Sequence, residues 1–153
     1  PGDRILDVGS GPGKVCIVGA LATSATFVGV ERRMDLHEHA RAAASQLGAT
    51  RAAFVHGDAF DLDWHNFTGL FFYNPFGEQL FSDPNRIDQT LEFTQAQYDH
   101  YCASTIARLT TLRAGTRIVV HHELGCELPS SYQRLRDERS SGTDLRLWEK
   151  VTR

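Results

Sequence analysis

The run Asp7-Val8-Gly9-Ser10-Gly11-Pro12-Gly13 has the residue types and spacing of a turn that cradles a small ligand against the main chain. Glycines at alternate positions permit positive φ and leave no Cβ between backbone and ligand. Dinucleotide sites use Gly-x-Gly-x-x-Gly. Counted from Gly9, the third glycine falls on Lys14, and counted from Gly11 it falls on Cys16, so that fingerprint fails both ways. Glu31 ends the next apolar run, Val28-Gly29-Val30. A carboxylate there accepts hydrogen bonds from both hydroxyls of a ribose. Dinucleotide sites use the same geometry, so Glu31 points to a ribose without choosing the cofactor.

These residues need a scaffold that brings successive strand ends together. Ile5–Val8, Thr26–Val30, Ala52–His56, Gly69–Tyr73 and Thr116–His121 read as strands, the fourth apolar throughout, as a strand covered on both faces should be. Lys14–Leu21 reads as a helix weakened by Gly19. Met34–Leu47 reads as a second, with Leu36, Ala40, Ala43, Ala44 and Leu47 on one face, His37 and His39 towards solvent, and Gly48 as C-terminal cap. A third helix starts at Thr94, where Thr94 and Gln97 match a capping box and Phe93 with Tyr98 a hydrophobic staple. Its stripe is Tyr98, Tyr101, Cys102, Thr105, Ile106, Leu109 and Leu112. Tyr132–Arg139 and Leu145–Val151 read as a terminal strand pair. Strands alternating with helices give an α/β domain: a Rossmann-like, mainly parallel sheet flanked by helices, with an antiparallel C-terminal edge. Ligands bind such sheets beyond the carboxyl ends of the strands.

The pattern Asp-x-Gly-x-Gly-x-Gly closely resembles the first motif of the class I methyltransferases that use S-adenosylmethionine. The resemblance implies that Asp7 holds the cofactor's amino group, directly or through water, and that Gly9, Ser10, Gly11 and Gly13 let its methionine part lie against the chain. It implies a ribose on Glu31, with Arg32 beside it, and an adenine read by the Asp58 carboxylate and the Ala59 N–H after the third strand. Asp61 and Asp63 are weaker candidates for the adenine. Asn74-Pro75-Phe76 follows the fourth strand, where this family places transfer. It resembles the Asn-Pro-Pro-Tyr/Phe motif of enzymes that methylate planar amino groups, in which the Asn side chain and a Pro carbonyl orient the target nitrogen and the aromatic stacks on it. This chain has a single proline there and continues Gly77-Glu78, a departure that leaves the acceptor open. A Tyr/Phe-Asn-Pro-Phe element of poorly characterised bacterial methyltransferases looks closer. By this resemblance Asn74, Pro75 and Phe76 are the catalytic set, and Asn74 also borders the cofactor.

The expected function is methyl transfer to a nitrogen of a protein side chain or small molecule, leaving S-adenosylhomocysteine. The alternatives are a non-catalytic cofactor-binding module and a nicotinamide-dependent oxidoreductase. His121-His122-Glu123 ends the fifth strand and reads either as part of a substrate pocket or as polar residues with no ligand. No metal set is expected, since Cys126 completes none and the zinc-protease motif is absent. The stretch Phe76–Phe93 reads as a long loop of the kind that often serves as a lid.

The sequence has 153 residues, 41% hydrophobic and 23% charged, which suits one globular domain. A net charge of −3 gives no clear nucleic-acid signal, and no apolar run is long enough for a membrane span. Cys16, Cys102 and Cys126 are scattered without paired spacing, which favours a reduced, cytoplasmic protein. The chain begins Pro1-Gly2-Asp3 and enters a strand at once, so 1–153 is expected to be a cofactor-binding domain lacking its N-terminal segment.

Overall fold

The computed structural model describes residues 2–73, 94–122, 124–140 and 143–152. Five parallel strands carry the sheet: β1 (Arg4–Val8), β2 (Thr26–Glu31), β3 (Ala52–His56), β4 (Gly69–Tyr73) and β5 (Arg117–His121). β6 (Tyr132–Ser140) and β7 (Thr143–Lys150) form an antiparallel pair, and β7 runs antiparallel beside β5. The order β3-β2-β1-β4-β5-β7-β6 reverses direction between β1 and β4. Such a switch point opens a crevice at the carboxyl ends of the strands. The glycine turn follows β1 and so borders this crevice.

Alternation along the strands sorts side chains onto the two faces. Leu6, Val8, Val28, Val30, Leu70, Phe72, Ile118 and Val120 point to one face, covered by Leu109 of α3 (Gln95–Thr111), by its C-cap Leu112, and by Trp64 and Phe67. Ile17 and Ala20 of α1 (Lys14–Ala22) and Ala44 of α2 (Met34–Gln46) cover the other, over Phe27 and Phe54. Gly19 is required by that second face, because a Cβ there would run into the Phe27 ring. Its cost to helix propensity is offset by this close approach. The capping box forms as read: Thr94 Oγ1 accepts from the Gln97 N–H at 3.2 Å, and Gln97 Oε1 from the Thr94 N–H at 3.0 Å. Phe93 of the expected staple lies outside the described residues.

The far end of α3 is closed by a device that no local sequence pattern suggests. Lys150, the last residue of β7, is buried and donates from Nζ to the carbonyls of Leu109 at 3.0 Å and Thr110 at 2.5 Å. The Tyr132 hydroxyl donates to the same Leu109 carbonyl at 3.0 Å. An ammonium at a helix C-terminus neutralises the orphan carbonyls and favours the helix dipole.

Two expectations change. His37 is buried, 7% exposed, and not solvent-facing. It shares the stripe of Ala40 and Ala44, three and seven residues on. Leu47 is exposed because α2 stops at Gln46 and Leu47 becomes its C-cap. The Cys126 thiol lies 3.8 Å from the Leu124 carbonyl, and burial, reinforced by neighbouring Cys102, pushes its pKa up to about 12. No helix among the described residues is long and apolar enough to cross a membrane.

Candidate cofactor and acceptor site

The glycine turn hangs from the end of β2. The N–H groups of Gly9 and Ser10 both donate to the Val30 carbonyl at 3.0 Å, and Gly13 N–H closes on Ser10 O at 2.9 Å. Gly9, Gly11 and Gly13 have φ of 73°, 53° and 80°, a left-handed run that side chains rarely adopt. Gly13 also lies against the second layer, where a Cβ would sit 2.6 Å from Phe54 and 2.8 Å from Ala40. Ser10 is buried beside Gly29, and its hydroxyl has no hydrogen-bond partner among the described residues.

Asp7 sits beneath this turn, 3% exposed, and accepts a hydrogen bond from Cys16 Sγ at 3.4 Å. No cation pairs with it among the described residues. Burial raises its pKa to about 7, the Cys16 contact opposes this, and the Glu31 charge adds to it. A buried carboxylate in that state gains from a cationic ligand. This fits the ammonium of an amino-acid cofactor. It also gives a sign. A bound ammonium stabilises ionised Asp7, and in the free protein the ionised fraction grows as pH rises through about 7. S-adenosylhomocysteine affinity is therefore expected to rise roughly tenfold from about pH 6 to about pH 8, with one proton released on binding at the acid end. Calorimetry in buffers of different ionisation enthalpy checks this, and Asp7→Asn should leave the profile flat.

Glu31 is 5% exposed and already engaged. Oε2 accepts from Gly11 N–H at 2.9 Å, and Oε1 accepts from Arg33 N–H at 2.9 Å and Arg33 Nε at 3.0 Å. A carboxylate offers about four acceptor positions. With three in use, both hydroxyls of a ribose fit only if one contact is released, and Gly11 N–H belongs to the turn the ligand would touch.

Asp58 follows β3 and caps a short 3-10 turn, Ala59–Asp61, through Oδ1 to Phe60 N–H at 2.9 Å. Its Oδ2 accepts from the Tyr101 hydroxyl at 3.4 Å and lies 4.0 Å from Arg32 Nε. Arg32 also donates to the Tyr101 hydroxyl at 2.5 Å. Phe60 stacks on Tyr101 with ring centroids 5.5 Å apart. Flat side chains and an acceptor thus meet beyond β3, which suits an adenine-sized ring. In the sequence Tyr101 shows only as part of the helix stripe, and its distance from Asp58 along the chain gives no signal of this contact. Asp63 caps a second short turn, accepting from His65 N–H at 3.0 Å, while Asp61 is exposed.

At the other side of the switch point, Tyr73 and His121 end β4 and β5 as register partners. Their ring centroids lie 4.6 Å apart, and His122 stacks on His121 at 4.4 Å with planes 14° apart. Asn74, Pro75, Phe76, the Phe76–Phe93 loop and Glu123 lie outside the described residues. No group of three or more metal-ligating side chains occurs among the described residues.

Residues 1–76, just under half of the chain, match the family model of a methyltransferase domain. The fold is similar to that of an RNA methyltransferase from Salinibacter ruber solved with S-adenosyl-L-homocysteine. That match has a TM-score of 0.70 and 23% identity, over 97% of this chain and 81% of the other. It is also similar to the putative methyltransferase yhhF from Escherichia coli, with a TM-score of 0.68 and 15% identity over 99% and 78% of the two chains. TrmN from Thermus thermophilus matches with a TM-score of 0.66 and 15% identity, over 99% of this chain and 45% of its own. No curated protein matches the chain.

Proposed function

We infer that this chain, with the fold of the class I methyltransferases and a methyltransferase-domain match over residues 1–76, is an S-adenosylmethionine-dependent methyltransferase that acts on a nitrogen nucleophile. The observation that carries the reading is the convergence of buried Asp7 and buried Glu31 on one glycine turn, at the carboxyl end of β1 beside the switch point.

When bound, S-adenosylmethionine supplies a methyl group already activated on its sulfonium. Asp7 holds the ammonium, Glu31 the ribose, and Asp58 with Ala59 the adenine. Gly9, Ser10, Gly11 and Gly13 form the floor under the methionine part, and Arg32 closes over the rim beside Asp58. The remaining work is positioning, which contributes ~7–11 kcal/mol in favourable cases. Asn74 and the Pro75 carbonyl accept hydrogen bonds from the target nitrogen and aim its lone pair, and Phe76 packs on the target. The acceptor belongs to a protein side chain or a small molecule. An RNA acceptor is a second reading, favoured by the Salinibacter neighbour, which is itself an RNA methyltransferase. A cytoplasmic location accords with the three free cysteines.

Calorimetry tests the cofactor. S-adenosylhomocysteine should bind in the micromolar range, about −8 kcal/mol, and NAD should not bind. Saturable NAD binding without a response to S-adenosylhomocysteine would sink the reading. Asn74→Ala should keep cofactor affinity and lose transfer of labelled methyl into fractionated lysate. Equal loss of both would make Asn74 a cofactor or folding residue, and tight binding with no transfer from the unsubstituted chain would favour a non-catalytic module.

A further inference from the structure

Beyond the cofactor, the ends of β4 and β5 carry a cluster of rings that the methyl-donor site does not use. Tyr73 is 52% exposed although it ends a strand whose neighbours are buried. Its ring is tilted 55° to His121 and 60° to His122, whose planes are nearly parallel. Successive residues of a strand point to opposite faces, so two adjacent rings stack only if the strand breaks between them. It does: His122 has φ 64°, the one non-glycine residue with positive φ among those described. The break is held by its N–H donating to the Asp144 carbonyl at 2.7 Å. Backbone strain of this kind persists where the surroundings enforce it and gathers at ligand sites.

One further atom points to a ligand. His121 Nε2 is buried and has no hydrogen-bond partner among the described residues, whereas the nearby Asp144 carboxylate is engaged, Oδ2 by Arg146 at 2.5 Å and Oδ1 by Arg139 Nε at 3.9 Å. Buried polar atoms are normally satisfied. Burial, reinforced by His122 and opposed by Asp144, holds His121 below its usual pKa, so the imidazole is neutral and can accept a hydrogen bond.

We propose that Tyr73, His121 and His122 form the acceptor platform: a flat heteroaromatic base lies against the exposed Tyr73 ring, and its exocyclic amine donates to His121 Nε2, which has no hydrogen-bond partner among the described residues. The platform determines specificity by favouring a planar amino-bearing ring over a flexible aliphatic amine. The cluster adjoins Asn74 in the chain, where transfer is placed, so the proposal rests on the methyltransferase reading. The base arrives either as a free nucleoside or within an RNA strand.

The test uses the full chain with labelled histidine, with and without saturating S-adenosylhomocysteine, and follows the His121 and His122 ring signals by NMR. The probes are adenosine, cytidine, a short single-stranded oligoribonucleotide, and butylamine as the aliphatic control. The nucleosides, the oligonucleotide or both should shift the two histidines, and which responds identifies the source. Tyr73→Leu should weaken that binding at least about fivefold, as loss of one stacking contact would. It should leave S-adenosylhomocysteine affinity within about twofold, as a separate site would. His122→Asn, which tolerates the left-handed backbone, should do the same if Tyr73→Leu fails to fold. No shift with either kind of base, an equal shift with butylamine, or unchanged affinity in the variant that folds would overturn the platform. Failure to bind S-adenosylhomocysteine while the bases still shift the histidines would instead overturn the methyltransferase reading.

Discussion

Glu31→Ala will weaken S-adenosylhomocysteine binding by roughly 30- to 150-fold, a loss of about 2–3 kcal/mol. Two effects add. The ribose loses a charge-assisted acceptor, worth about 1.5–3 kcal/mol net of exchange with water. The turn loses the bond from Gly11 N–H to Oε2 that fixes its middle against β2, so the free protein must order it on binding. Glu31→Gln separates the two. Its amide oxygen can still accept from Gly11, so the turn keeps its shape, while one acceptor becomes a donor. The Gln variant should therefore fall between the wild type and Ala in calorimetric affinity, with a lowered melting temperature, because its NH2 group meets the Arg33 N–H and Nε donors that Oε1 accepts from in the wild type. If Glu31→Ala binds as tightly as the wild type, no ribose sits on Glu31.

Gly13→Ala will destabilise the fold as well as the site. The added Cβ would stand 2.6 Å from Cε1 and Cζ of Phe54 and 2.8 Å from the Ala40 Cβ, at a φ of 80°. Left-handed strain costs about 1–3 kcal/mol and overpacking about 1–3 kcal/mol. The sum, roughly 2–6 kcal/mol, corresponds to a fall in Tm of about 4–24 °C for a domain of this size. The two terms can be told apart by adding Phe54→Leu. Space opened beside the introduced methyl group would relieve the overpacking part and leave the backbone strain. A thermal melt showing Gly13→Ala within a degree of the wild type would mean that α1 does not seat against Phe54 as described.

The sheet is legible because its strands are apolar runs closed by turn residues, a pattern that burial on both faces imposes. Val28 to Glu31 shows this well: the strand and the carboxylate at its end can be placed without any contact information. Thr94 and Gln97 are legible for a different reason, since a capping box is local in sequence. What stays hidden is long-range. The sequence presents Glu31 as open to a ribose, but its bond to Gly11 spans 20 residues, and no local pattern announces it. Tyr101 reaches Asp58 across 43 residues, and Lys150 reaches Thr110 across 40. His37 is a different case: its three- and seven-residue spacing to Ala40 and Ala44 is visible in the sequence, but its polarity argues against its period. Catalytic Asn74, Pro75 and Phe76 rest on resemblance and lie outside the described residues.

Lys150 also says something about the order in which the chain can be assembled. The strands that carry Asp7 and Glu31, and the strand that precedes Asp58, neighbour one another through contacts among residues 4–73 alone. The last carbonyls of the helix behind them receive the Lys150 ammonium only once β7 has slotted in beside β5. Contacts of such separation close late, because the loop entropy must be spent before they return anything. On a ribosome β1 to β4 can take shape while β5 to β7 are still being made. The domain becomes a finished two-sided vessel only as β7 is drawn in, like a drawstring at the mouth of a bag.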